Sequence, residues 1–323
     1  MRILALILCL ATPAFADVPK AVSTVILTGY ASFTKATAAL AAAADATCDA
    51  ASLRPAWNAA FDAWLGVSFI TIGPAETKGR SLAIAFWPDP KGTGARQQAA
   101  MIATQDPAAL DAGNFSEISV AARGLFGLER LLYPETPLQG DYPCTLIRAT
   151  ATDLAQMARA IEGDWQSDFA TAVLTAGTAD NTQYLSETEA KQALFTQLIT
   201  GLEFVKGTRI GRPLGTFDKP TPDRAEAHAS GRPQRNIVLS LTALRAYSAA
   251  LAPDASQTLA AFDRAIATAK GLSDPTLADI TDPQAWLKLQ ILQQQVQVVD
   301  ELAVTEVGKI LQVGVGFNAA DGD

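Results

Sequence analysis

Histidine is almost absent from this sequence: His228 is the only one in 323 residues. A zinc peptidase of the H-E-x-x-H type sets two histidines on one helix face, so that class is excluded. Cysteine is scarce, with three, and the lack of any C-x-x-C-H run excludes covalent haem attachment. There is no G-x-S-x-G elbow, no Walker loop and no dinucleotide-binding glycine turn after a strand. Lys and Arg number 25 against 33 Asp and Glu, for a formal net charge of −8. Basic residues do not interleave with aromatics, and an acidic chain repels nucleic acid and anionic membrane. The charge suits solubility, or alternatively a cation or a basic partner. Alternating strands with hairpin turns are missing too, which argues against a β fold.

The N-terminus has the form of a secretory signal. Arg2 is followed by an apolar run from Ile3 to Leu10 and an Ala14-Phe15-Ala16 cleavage site. The run is too short to span a bilayer. Cys9 lies inside it, so a mature chain starting at Asp17 keeps Cys48 and Cys144. No later apolar run is long enough for a membrane span. The expectation is a periplasmic protein without a transmembrane segment. In an oxidising compartment Cys48 and Cys144 have one internal pairing open to them, the alternative being two free thiols.

What is present is helical periodicity. Val22, Ile26, Tyr30 and Phe33 mark one face of a first helix running to about Ala46. Leu53, Trp57, Phe61, Trp64 and Leu65 mark a second, with Ser52 as N-cap. Asp106-Pro107 and Asp282-Pro283 open helices, the latter a long one. Ser186–Glu189 and Asp254–Gln257 have the spacing of capping boxes. The pattern breaks at Gly73–Gly94, at Tyr133–Pro143 and at Leu214–Pro222, and a helix is expected from Asp223 or Ala225. The fold class is all-α. The length suits two packed antiparallel helical bundles, residues 17–180 and 181–323.

The most informative stretch is GLFGLERLLYP, Gly124 to Pro134. It resembles the hallmark of the imelysin-like family, a Gly-x-His-x-x-Glu run before an apolar segment. Gly124, Glu129, Leu131, Leu132 and Tyr133 stand where the pattern wants them, but Phe126 holds the histidine position. A His and a Glu three residues apart share a helix face and could share a metal; Phe cannot ligate. Arg80–Gly92 (RSLAIAFWPDPKG), Glu226–Ile237 (EAHASGRPQRNI) and Val315–Asp323 (VGFNAADGD) resemble further family segments, in order along the chain. The resemblance implies two facing bundles with a pocket between them.

Candidate site residues follow from these motifs. Glu129 is either a buried carboxylate that orders the pocket or joins a cation site, or an ordinary salt-bridged glutamate. Ser230, Arg232 and Asn236 can hold an anion or a carboxylate at a helix start, with Glu129 the proposed partner of Arg232; the alternative is simple capping. His228 is either a substitute ligand opposite Glu129 or a surface histidine. Arg80 and Asp89 occupy a loop that Trp87, Pro88 and Pro90 should stiffen and pack down.

The family is linked to periplasmic iron uptake and once carried a metallopeptidase label. The resemblance therefore implies a non-enzymatic accessory of metal uptake. It would bind iron or another divalent metal, a ligand, or iron-uptake proteins of the cell envelope. A degenerate metallopeptidase-like protein and a pure protein-interaction module are the other readings.

Overall fold

The computed structural model describes residues 17–314. The signal-like segment before Asp17 and the family-like run Val315–Asp323 lie outside the described residues. The architecture is all-α. Among the described residues the one β feature is an isolated antiparallel bridge, Thr216 to Lys219.

The first helix, α1 (Thr28–Ala46), continues from a first turn and a wider-wound π segment, Val22–Leu27. The stripe read from the sequence is its inner face: Val22, Ile26, Tyr30 and Phe33 are fully buried. Burying a side chain such as Phe33 contributes about 1.5–3 kcal/mol. Next come α2 (Ala50–Leu65), α3 (Thr93–Thr104), α4 (Gly124–Leu132) and α5 (Asp141–Asp164). Helix α1 packs between α2 and α5, and α4 packs on both of those. The second half of the chain supplies α6 (Glu187–Glu203), α7 (Pro233–Leu251), α8 (Ser256–Lys270) and α9 (Pro283–Leu302). There α8 packs against α7 and α9, and α6 against α7 and α9. The two groups meet where α7 crosses α2 and the first turn. The apolar core is continuous across both.

Several helix starts differ from expectation. Asp49, not Ser52, caps α2, its carboxylate accepting from the Ser52 N–H at 2.8 Å. A carboxylate suits the positive helix start better than a hydroxyl does. Asp106 caps only one 3₁₀ turn, Pro107–Leu110. Ser186 accepts from the Glu189 N–H, but the Glu189 side chain reaches back to Leu185 rather than to the cap itself. At α8 the expected Asp254 box does not form. Glu306, from beyond α9, accepts from the N–H groups of Gln257 and Thr258 instead. No helix begins at Asp223 or Ala225 beyond a single turn, Pro222–Arg224. Ala227 and Gly231 take positive φ, breaking helical winding until Pro233 opens α7.

The loops are well anchored. Cys48 and Cys144 form a disulfide that ties the end of α1 to the first turn of α5, with Cα atoms 5.2 Å apart. Trp87, before a cis Pro88, packs down as the stiff loop suggested: it stacks on Phe126 with ring centroids 6.4 Å apart. Phe217, in the third loop, rests edge-on against Trp286 of α9.

Candidate functional site

The GLFGLERLLYP stretch forms α4, and its glycines are needed for close approach. A Cβ on Gly124, which sits at positive φ, would lie 2.2 Å from the Ala83 carbonyl oxygen. One on Gly127 would lie 2.5 Å from that of Ala122. Side chains of α2 hold the other side of α4: Trp57 donates to the Leu125 carbonyl and Arg54 to that of Leu132. The helix is thus fixed in rotation, and Glu129 has one direction to point.

That direction is towards the second family-like segment. The Glu129 carboxylate oxygen Oε1 accepts from the Ser230 backbone N–H at 3.0 Å and from its hydroxyl at 2.6 Å. Glu129 is buried, 6% exposed. Burial raises its carboxyl above the ordinary value, Ser230's hydrogen bonds oppose the rise, and the nearby charge of Glu226 adds to it.

Arg232 does not pair with Glu129. Its guanidinium is committed elsewhere: Nη2 to Asp62 at 2.6 Å, Nη1 to Asn58, and Nε to Asn236 at 3.1 Å. It also lies over the rings of Phe61 and Trp57. The reason is geometric. Ser230 occupies the carboxylate of Glu129, while α2 offers Arg232 a polar pair one turn apart. Arg235 grips the same Asp62. Burial would raise the Asp62 carboxyl, but Arg235 and Arg232 outweigh it and hold it below its usual range. Asn58 also donates to the Tyr133 hydroxyl, so it links the end of the first motif to Arg232.

A second buried pair completes the network. Glu226 accepts from Arg209 Nε at 2.6 Å and from Asn236 Nδ2 at 3.0 Å. Arg209 sits on a π segment, Phe204–Ile210, whose i→i+5 winding brings residues five apart over one another. Its guanidinium accordingly lies 4.8 Å from the Phe204 ring centroid.

Beside this network lies a cavity of about 540 Å³, lined by both parts of the chain. Trp64, Phe69 and Trp87 come from one part, and Thr200, Phe204, Arg209 and Glu226 from the other. None of the site residues read from the sequence lines it directly. Phe126 backs it through Trp87, and Asn236 through Glu226. Arg80 is paired with Asp164 at 2.6 Å. Asp89 accepts from the N–H groups of Thr93 and Gly94 and so caps α3. His228 is exposed.

The family model for imelysin matches residues 26–302. The chain belongs to the imelysin family. An imelysin-like protein from Psychrobacter arcticum shares the fold, with a TM-score of 0.77 at 20% identity, over 95% of this chain and 100% of that one. A candidate iron-regulated protein A precursor from Parabacteroides distasonis matches with a TM-score of 0.63 at 14% identity, over 92% and 97%. A protein named iron-regulated protein A, from Synechococcus elongatus, is 28% identical over 183 residues, 55% of this chain. The match spans 46% of that protein's length.

Within the imelysin motif, Phe126 is 4% exposed and packs edge-on to Phe61, with centroids 5.5 Å apart. The position has become part of an aromatic core. The groups around Glu129 are the wrong kind to share a metal: Ser230 presents protons to the carboxylate, and Phe126 has no lone pair. Among the described residues no three His, Cys, Asp or Glu side chains come together as a metal site. The residues present therefore do not fit a metal at the motif.

The sequence reading missed Asn58, Asp62, Arg209 and Glu226. Glu226 opens the family-like segment and was visible there. Asn58 and Asp62 each follow a core aromatic on α2, four residues apart, a polar pair beside an apolar stripe. Arg209 left no signal, because a π turn has no distinctive residue pattern.

Proposed function

We propose that this imelysin-family protein is an exported, non-enzymatic accessory of iron uptake that holds its ligand between its two halves, residues 17–180 and 181–323. The observation that carries the reading is the cavity whose wall is built jointly by Trp87 of the first half and by Phe204, Arg209 and Glu226 of the second. Such a cavity depends on how the halves are set, and the Glu129–Ser230 and Arg232–Asp62 contacts fix that setting. The names of the Synechococcus and Parabacteroides proteins support an iron-related context. The signal-like N-terminus supports export. With Phe126 in the motif, one histidine in the chain and no group of three His, Cys, Asp or Glu side chains among the described residues, little supports the peptidase reading. Glu129, Ser230 and Arg232 are scaffold for the cavity on this reading.

The test is growth. Deletion of the gene should impair growth when iron is limiting and leave iron-replete growth unchanged. The wild-type gene should restore it, and Thr200→Trp, which fills the cavity, should not. Equal growth of the deletion strain in both media would refute the iron-uptake role.

A further inference from the structure

The cavity differs in chemistry from a metal site, and its lining restricts what it can hold. This step rests on the reading above that it is the ligand site. Its walls carry the rings of Trp64, Phe69, Trp87 and Phe204. Trp87 and Phe204 meet nearly at right angles, with centroids 6.1 Å apart, so an aromatic group in the cavity has rings of two orientations to meet. The volume, about 540 Å³, lies within the range for small organic ligands.

Four hydroxyls of the wall are left with acceptor character. Ser81 Oγ donates to the Ala75 carbonyl at 3.0 Å, and Thr200 Oγ1 to that of Thr196 at 2.9 Å. Ser240 Oγ donates to the Asn236 carbonyl at 2.7 Å, and Thr71 Oγ1 to Gln197 Oε1 at 2.9 Å. A hydroxyl has one proton; once that is given to an oxygen of the protein, only lone pairs remain for the cavity. Glu226 is an acceptor as well, with its charge met by Arg209. Glu76, the other carboxylate of the lining, is exposed to solvent. Ser68, Thr196, Gln197 and Arg209 also line it and keep O–H or N–H groups, so the wall is largely apolar, close to neutral inside, and offers acceptors beside donors.

We infer that the cavity takes a neutral, planar aromatic molecule bearing hydroxyl groups, which can donate to these acceptors and accept from the remaining donors. The rings supply the contact area, and the donors reach Ser81, Thr200, Ser240 and Thr71. A molecule of the same shape without donors leaves those acceptors desolvated and unpaired, which is costly. A donor-rich molecule without a ring forfeits the stacking.

Calorimetric titration of the purified full chain tests this with four probes: catechol, anisole, cyclohexane-1,2-diol and Fe(III) alone. Catechol carries ring and donors, anisole the ring, and the diol the donors. Catechol should bind one site per chain, about tenfold tighter than either of the other organic probes. Thr200→Trp, with its helical circular dichroism intact, should abolish that binding. Ser240→Ala, which removes one acceptor and little volume, should weaken catechol several-fold and leave anisole unchanged; it decides the matter where Thr200→Trp fails to fold. Anisole or the diol matching catechol, or no binding by catechol, overturns the ligand class. Saturable Fe(III) binding that Thr200→Trp abolishes also overturns it, while leaving the cavity as the site. Failure of the iron-uptake role itself is read separately, in the growth of the deletion strain.

Discussion

Ser230 holds Glu129 through two hydrogen bonds to one carboxylate oxygen, across 101 residues of chain. The contact joins the two family-like motifs, one on α4 and one just before α7. It makes Glu129 a buried acid satisfied by neutral donors, with Arg232 turned to a different carboxylate. Replacing Glu129 by Ala should cost roughly 1–3 kcal/mol, because a buried N–H is left without an acceptor. Glu129→Gln keeps an oxygen in place and should cost less. Urea unfolding compares the two; equal losses would mean that the hydrogen bonds are not what Glu129 contributes.

The same burial has a pH signature. The folded carboxyl is raised above the ordinary 4.5, so the folded state binds the proton more tightly than the unfolded one. The stability this contributes is complete below the ordinary value and is lost as pH rises through the folded one. Glu129→Gln cannot titrate. Its stability relative to wild type should therefore increase as pH is raised from about 4. Urea midpoints measured across that range check the sign, and a constant difference between the two proteins would contradict it.

The fold was legible in the sequence because its signals are periodic. Val22, Ile26, Tyr30 and Phe33 repeat at helical spacing, and each is fully buried. Asp282 caps α9 as its spacing before Pro283 suggests. The cavity was not legible, since none of the candidate site residues lines it. Glu129 meets Ser230 and Arg232 meets Asn236, but which groups pair depends on the rotation of α4 and on Asn58 and Asp62. Those two belong to another helix and carry no motif. Glu306 capping α8 shows the same limit: a cap supplied from far along the chain leaves no local mark.

Arg232 and Asp62 should prove strongly coupled. Arg232 is 2% exposed, and its ion pair with Asp62 is the main compensation for its charge. Asp62→Asn should cost roughly 3 kcal/mol by leaving that arginine buried without its counter-charge. Arg232→Met should cost as much through the lost contacts to Asn58 and Asn236. In a double-mutant cycle the combined loss should fall short of the sum of the two. Additive losses would show that Arg235 alone satisfies Asp62.

The Cys48–Cys144 bridge spans a sequence separation of 96 residues. Closing a loop of that size stabilises by roughly 4 kcal/mol in the chain-entropy treatment. A Cys48→Ala, Cys144→Ala double variant should lose about that much in urea unfolding. Both cysteines of the purified native protein should resist alkylation until a reductant is added. Free alkylation of native protein would show that the pair is not formed.

Phe126 offers the sharpest test of how far this chain has moved from the motif it carries. Phe126→His restores the family's Gly-x-His-x-x-Glu pattern in sequence. In structure it puts a polar ring where Phe126 packs edge-on to Phe61 and stacked on Trp87. The variant should lose roughly 2 kcal/mol or more, since apolar contacts are lost and a ring nitrogen is buried without a partner. It should gain no metal. Histidine and Glu129 would supply two ligands, and one oxygen of Glu129 is already held by the protons of Ser230. Calorimetric titration of the variant with Zn(II) and Fe(II) decides it. A stoichiometric site that appears in Phe126→His and disappears on adding Glu129→Gln would show that the motif still carries a latent metal centre, one the aromatic core had only covered.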